Sequence, residues 1–186
     1  AESARTYSNE IIEKPPRELY IHAGKKISGL SYDKEINLPE EEYNIYLVEE
    51  SRALYISTCL TVNNSDDQSL RINVRKRSAG RSRTDATRRA EELVYGYNIS
   101  GDTIAVDEYF TVPAGNKWSF DNVGVNLYIP EGTIIHFDQS TIDMFSHCFD
   151  HSDRDYFGYD EDYFNPEQTW EMTRHGLNRI SGENKK

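Results

Sequence analysis

The densest chemistry in this chain is cationic. Arg71, Arg75, Lys76, Arg77, Arg81, Arg83, Arg88 and Arg89 fall within nineteen residues, and only Asp85 opposes them. Eight basic residues less one acidic give this segment +7 in a chain of net −11, so the remainder carries −18. Guanidinium groups at such density suit an acidic protein, a lipid headgroup or an anionic glycan. They equally suit a solvated strand edge and helix face, where Lys and Arg block unwanted strand pairing. Arg75 and Arg77 share one face of a strand and Lys76 takes the other, while Arg81, Arg88 and Arg89 avoid a helical Ala86–Ala90–Leu93 face. Those five arginines are the candidate binding residues. No nucleic-acid partner is expected, because the pI is near 4.9 and no stacking aromatics interleave the basic segment.

Three further groups invite chemistry. Tyr109 and Trp118, beside Phe110 and Phe120, could form a sugar-stacking platform, although such clusters are more often core. His147, Cys148, Asp150, His151, Asp153, Asp155, Asp160, Glu161 and Asp162 are rich in metal-binding atoms. Their spacing fits neither zinc nor calcium: Phe157 and Phe164 stand where a calcium loop starting at Asp153 needs oxygen ligands. Asp107 and Glu108 are adjacent, so on a strand they point to opposite faces and cannot share a hydrolytic cleft. They read as an exposed turn or edge pair, and His136 as a surface histidine. No GxSxG, P-loop, GxGxxG or HExxH motif occurs. The expectation is therefore no catalytic residue, no metal, no cofactor and no enzyme, with a carbohydrate-binding module, or a hydrolase below it, as rival readings.

The elements that would position these groups are mostly strands. Val123, Val125, Leu127 and Ile129 alternate with Gly124, Asn126 and Tyr128, the period of a strand with one buried face. Pro130-Glu131-Gly132 makes a turn, and Thr133, Ile135 and Phe137 face one way beyond it. Glu18–Ala23, Ile27–Tyr32, Tyr43–Val48, Leu54–Val62, Leu70–Val74 and Val94–Ile99 read as further strands, with Asp33–Glu42 a loop. One helix is predicted near Thr84–Leu93, where Ser82 and Asp85 form a capping pair. Residues 1–17, closed by Pro15-Pro16, read as a flexible linker. Residues 18–138 form the domain, and 139–186 an acidic, aromatic C-terminal extension.

The chain has 186 residues, enough for one domain. No apolar run is long enough to span a bilayer. Ala1-Glu2 opens without Met, as an excised or processed piece would. Cys59 and Cys148 lie far apart with no CxxC, and two free thiols are the favoured reading over a bridge.

The stretch 75–138 resembles the C-terminal region of Bacteroidetes-type PspC-domain envelope proteins. The resemblance rests on Arg75 to Arg77 with Ala79-Gly80, Arg88-Arg89-Ala90, Gly101-Asp102-Thr103 and Asp107-Glu108-Tyr109-Phe110. Lys117-Trp118-Ser119-Phe120, Asn126-Leu127-Tyr128, Pro130, Gly132-Thr133 and Phe137-Asp138 extend it. Trp170-Glu171-Met172-Thr173 with Gly176-Leu177 resembles the family's C-terminal signature. Such regions resemble head GIN adhesin domains. That implies an all-β fold of right-handed β-helix or solenoid type with one inserted helix; a β-sandwich is the alternative. It further implies a non-catalytic, periplasmic or surface-exposed envelope domain, adhesin-like or stress-sensing. The domain would be tethered to the membrane in its full-length protein and would meet a protein or anionic glycan partner.

Overall fold

The computed structural model describes residues 1–38, 43–148 and 164–181. Glu2–Ile12 forms β1, Glu18–Ala23 β2, Lys34–Leu38 β3, Tyr43–Val48 β4, Ala53–Ser57 β5, Cys59–Asn64 β6 and Leu70–Gly80 β7. Helix α1 covers Arg83–Glu92. Strands β8 (Tyr97–Ser100), β9 (Thr103–Val106), β10 (Tyr109–Val112), β11 (Asn122–Ile129) and β12 (Ile134–Phe137) follow. A short helix α2 (Gln139–Met144) and the hairpin β13 (Thr169–Thr173) and β14 (Gly176–Ser181) complete the described chain.

These strands make three separate sheets, ordered β1-β7-β11-β6, β10-β5-β4-β3 and β14-β13-β12-β2-β9-β8. The expected β-helix is thereby corrected. A solenoid stacks parallel strands coil upon coil in constant register, but here only β6–β11, β12–β2 and β2–β9 are parallel among the described pairs. The rest are antiparallel, including β1 with β7 over eleven positions. The sheets pack around one buried cluster, in the manner of a sandwich. Leu60, Ile72 and Leu127 enter it from the first sheet, Ile56 and Phe110 from the second, and Ile21, Ile104 and Trp170 from the third.

Several local readings are also corrected. Residues 1–17 are not a linker throughout, because β1 finds a partner in β7 that no local pattern announces. The Leu54–Val62 run breaks at Thr58, which is fully buried and donates its N–H to the Glu108 carbonyl at 3.0 Å. The chain changes sheet there. Ile27–Gly29 is a 3-10 turn rather than a strand, and Lys34–Leu38 pairs with β4 rather than looping. Residues beyond 138 contribute to the core: Phe145, Phe164 and Trp170 form an aromatic chain, with Phe164 stacked on Trp170 at 4.4 Å.

The capping pair holds. Ser82 Oγ accepts the Asp85 N–H at 3.1 Å, and Asp85 Oδ2 accepts the Arg81 N–H at 3.0 Å, so the two side chains together close the N-terminal end of α1. Buried Ala86 and Ala90 turn α1 onto β7 and β1. Asp138 plays the same part for α2, accepting the Thr141 N–H at 2.8 Å, and its other oxygen takes the Ala23 N–H.

Candidate functional site

Strand alternation sends Leu70, Ile72 and Val74 of β7 into the core, and so sends Arg71, Asn73, Arg75 and Arg77 outward. The register of the first sheet then aligns residues from four strands in rows. Asn9 stands opposite Asn73, Asn73 opposite Asn126, and Asn126 opposite Thr61. The row is hydrogen-bonded from end to end. Asn73 Nδ2 donates to Asn9 Oδ1 at 3.1 Å, Asn126 Nδ2 to Asn73 Oδ1 at 2.9 Å, and Thr61 Oγ1 to Asn126 Oδ1 at 2.6 Å. Asn63 Nδ2 joins by donating to Thr61 Oγ1 at 3.0 Å. Thr61 and Asn126 are buried at the floor, while Asn9 is exposed at the rim.

Flanking rows are cationic and aromatic. On one side lie Tyr7, Arg75, Gly124 and Cys59; on the other lie Ile11, Arg71, Tyr128 and Asn63. The Arg71 guanidinium carbon sits 4.2 Å above the centre of the Tyr128 ring, a cation–π pair that fixes a long side chain over the sheet. The ladder floors a cleft of about 420 Å³ that also includes Tyr7, Arg71, Arg75 and Tyr128. A second cup of about 360 Å³, walled by Asp66, Asp67 and Ser69, shares Asn63, Arg71 and Tyr128 with the first.

Of the arginines singled out from sequence, Arg75 and Arg77 lie on this face. Arg88 lies along α1, held by Asp85 Oδ1 at 2.7 Å and Glu92 Oε1 at 2.8 Å. Arg89 turns inward, half-buried, donating to Ser119 Oγ at 3.0 Å and lying 3.4 Å from Asp85. Arg81 is exposed at the start of the helix. Tyr109 meets Tyr55 edge-on at 5.4 Å, whereas Trp118 packs on Phe120 at 4.6 Å and against the core. The two rings therefore belong to different clusters. Sequence reasoning did not single out Asn9, Asn73, Asn126, Thr61 or Asn63. The outward phase of Asn73 and Asn126 was visible, but their lateral alignment depends on register.

Asp107 and Glu108 bond backbone N–H groups rather than facing one cleft together. Asp107 Oδ1 accepts the Lys25 N–H at 2.9 Å and Glu108 Oε1 the Ile27 N–H at 2.8 Å, so the pair clamps the turn after β2 from two sides. Glu108 is buried rather than exposed as expected. Desolvation pushes its carboxyl above the usual range, with Asp143 and Asp138 adding repulsion. Burial likewise raises Asp121, although Ser78 Oγ and the Ser119 N–H donate to it. Lys76, on the inner face of β7, is lowered by burial. His136 stacks on Tyr20 at 4.6 Å and bonds Glu18 at 2.7 Å.

Cys59 and Cys148 form a disulfide, correcting the free-thiol expectation. Register places Cys59 at the end of the Tyr7–Arg75–Gly124 row, and the bond ties Cys148 to that sheet edge. Cys148 is thus withdrawn from the acidic, His-containing constellation, whose members from Asp150 to Asp162 lie outside the described residues. Among the described residues, no group of three His, Cys, Asp or Glu is placed to hold a metal. No described helix is long and apolar enough to cross a membrane.

Three sheets around one core, one of them with a polar, hydrogen-bonded outer face, define an all-β domain. The profile of the ToastRack domain found in some PspC proteins matches residues 48–182. The chain belongs to this PspC C-terminal family, whose domains are non-catalytic and associated with the cell envelope. No curated protein and no solved structure is significantly similar to it.

Proposed function

We propose that this domain is the ligand-binding module of a PspC-type envelope protein, and that it holds a hydroxyl-rich saccharide on the outer face of β1-β7-β11-β6. The observation that carries the reading is the four-strand amide ladder. Amides offer both donors and acceptors, as vicinal hydroxyls do, and a pre-ordered row presents them without reorganisation. Protein interfaces centre on apolar and aromatic anchors; this cleft is lined mainly by Asn, Thr and Arg. The disulfide supports an extracytoplasmic setting, since such bonds persist in oxidising compartments.

Within this reading Arg75 and Arg77 face the ligand. Arg81, just ahead of α1, and Arg88 and Arg89 on it follow as a second contact for an anionic envelope partner. Binding would serve an adhesin-like or stress-sensing role in the tethered full-length protein, by analogy with head GIN domains. Tyr109 and Trp118 have different ring partners, which does not favour a joint stacking platform. A glycan array probed with the purified domain and with Asn73→Leu tests the proposal. Selective saccharide binding that Asn73→Leu abolishes supports it. Saccharide binding unchanged in the variant moves the site elsewhere, and retention of no saccharide refutes it.

A further inference from the structure

We infer that the cleft walled by β8 and β10 binds a small zwitterion, with its methylated ammonium group held at Asp107 among Tyr95, Tyr97 and Tyr109 and its acid group at Lys25. The cleft has a volume of about 420 Å³ and draws its walls from the second and third sheets. None of its described lining residues belongs to the amide face, so the two sites stand or fall separately.

Asp107 is fixed in place with one oxygen left over. Its N–H donates to the Gly96 carbonyl at 3.1 Å, its carbonyl accepts the Tyr95 hydroxyl at 2.9 Å, and Oδ1 accepts the Lys25 N–H at 2.9 Å. Oδ2 has no hydrogen-bond or ion-pair partner among the described residues. Two glycines make room for this carboxylate. A methyl group at Gly24 would come within 2.7 Å of Oδ1, and one at Gly96 within 3.0 Å of Oδ2. Neither glycine has a positive φ, so the backbone alone does not require them. Both line the cleft with Asp107, and the result is a rigidly held negative charge on its wall that attracts a cation.

Three tyrosines line the cleft beside it. Tyr95 and Tyr97 commit their hydroxyls elsewhere, Tyr95 to the Asp107 carbonyl and Tyr97 to Glu10 Oε1 at 2.8 Å. Burial, then Glu10, pushes the Tyr97 hydroxyl up to about 12, so it stays a neutral donor. Tyr109 is set edge-on to Tyr55 at 5.4 Å. Rings around a carboxylate suit an organic cation. A primary ammonium has three N–H donors that each need an acceptor on leaving water. A methylated one carries the same charge with no donor to satisfy, and it gives methyl groups to the rings. Lys25 lines the same cleft; it is exposed and has no ion-pair partner among the described residues. Its ammonium repels a plain cation and attracts the acid group of a zwitterion.

The test is an NMR titration of the whole ¹⁵N-labelled domain with glycine betaine at low ionic strength, where such charges are least screened. Three comparison compounds each remove one feature. Free glycine lacks the methyl groups, 3,3-dimethylbutyrate replaces the cationic nitrogen by carbon, and choline carries an alcohol in place of the acid group. Betaine should bind about fivefold or more tightly than each of them. Asp107→Asn keeps an acceptor for the Lys25 N–H and should bring betaine down to the level of 3,3-dimethylbutyrate. Tyr97→Leu should weaken betaine severalfold, and Tyr97→Phe, which keeps the ring, should recover most of the loss. Lys25→Gln should remove the preference for betaine over choline. Melting of each variant establishes that it is folded. Equal binding of 3,3-dimethylbutyrate overturns the cation site, equal binding of free glycine overturns the role of the rings, and equal binding of choline overturns the role of Lys25. Betaine binding that is unchanged in both Asp107→Asn and Tyr97→Leu lies outside this cleft and overturns the assignment, as does no betaine binding at all.

Discussion

Gly124 and Arg75 face each other across β11 and β7, and the arginine occupies the space a side chain at 124 would need. A methyl group there would come within 2.8 Å of Arg75 Nη2. The glycine is not required by its backbone, since its φ is not positive. It is required by the arginine lying flat on the sheet. Gly124→Ala should therefore fold normally, because the guanidinium end can yield and Ala suits a strand better than Gly. Melting should stay within about 3 °C of the parent, as expected for a change below 1 kcal/mol in a chain of this size. Affinity for a saccharide bound at this face should fall severalfold. Loss of fold would show that Arg75 is a structural prop instead.

The disulfide should carry much of the domain's stability. Cys59 and Cys148 are separated by 89 positions, and closing a loop of that size restricts the unfolded chain by about 4–5 kcal/mol in chain-entropy terms. Replacing both cysteines by Ala should lower the melting temperature by roughly 5–15 °C, given typical measured losses of about 2–5 kcal/mol. Calorimetric scans with and without reductant check this. An unchanged scan would mean that the 145–148 segment is held by packing alone.

Glu108 gives the fold a signed pH dependence. Its folded carboxyl is raised above the ordinary 4.5, chiefly by burial. The folded state thus holds the proton more tightly than the unfolded state. This group's contribution is fully present below the ordinary value and is lost as pH rises through the raised one. Glu108→Gln cannot ionise and keeps an acceptor for the Ile27 N–H. Its melting temperature relative to the parent should therefore climb between about pH 4 and pH 7. A difference that is flat or falling over that range contradicts the assignment.

The helix arginines should matter little for stability. Arg88 lies on the surface between Asp85 and Glu92, and exposed pairs of this type contribute little. Replacing Arg81, Arg88 and Arg89 together by Gln should shift melting by no more than a few degrees. Unfolding of the triple variant would trace to Arg89, the one that reaches Ser119.

Much of this fold could be read locally. The Ser82–Asp85 cap, the Val123–Ile129 strand and the shared face of Arg75 and Arg77 depend on residues close in sequence, and these stand, although Gly124 and Asn126 are buried along with the apolar positions between them. What could not be read was pairing at a distance. Nothing near Ser3–Glu10 says that it seeks β7, so its Asn9 looked like part of a flexible linker. Thr58 looks like any strand residue, yet its bond to Glu108 breaks one alternating run into strands of two sheets. Asn73 and Asn126 were visible only as solvent-facing positions. Their alignment with Asn9 and Thr61 is a property of register, set by every residue buried beneath them.

The central claim is that the amide face of β1-β7-β11-β6 is where this envelope domain meets its ligand. Side-chain amide resonances report on it directly. In a ¹⁵N-labelled domain titrated with a saccharide retained on the glycan array, the Nδ2 signals of Asn9, Asn63, Asn73 and Asn126 should move together and saturate, with the α1 amides unmoved. Perturbations confined to α1 or to the Tyr20–His136 surface, with the four asparagine amides silent, would contradict it.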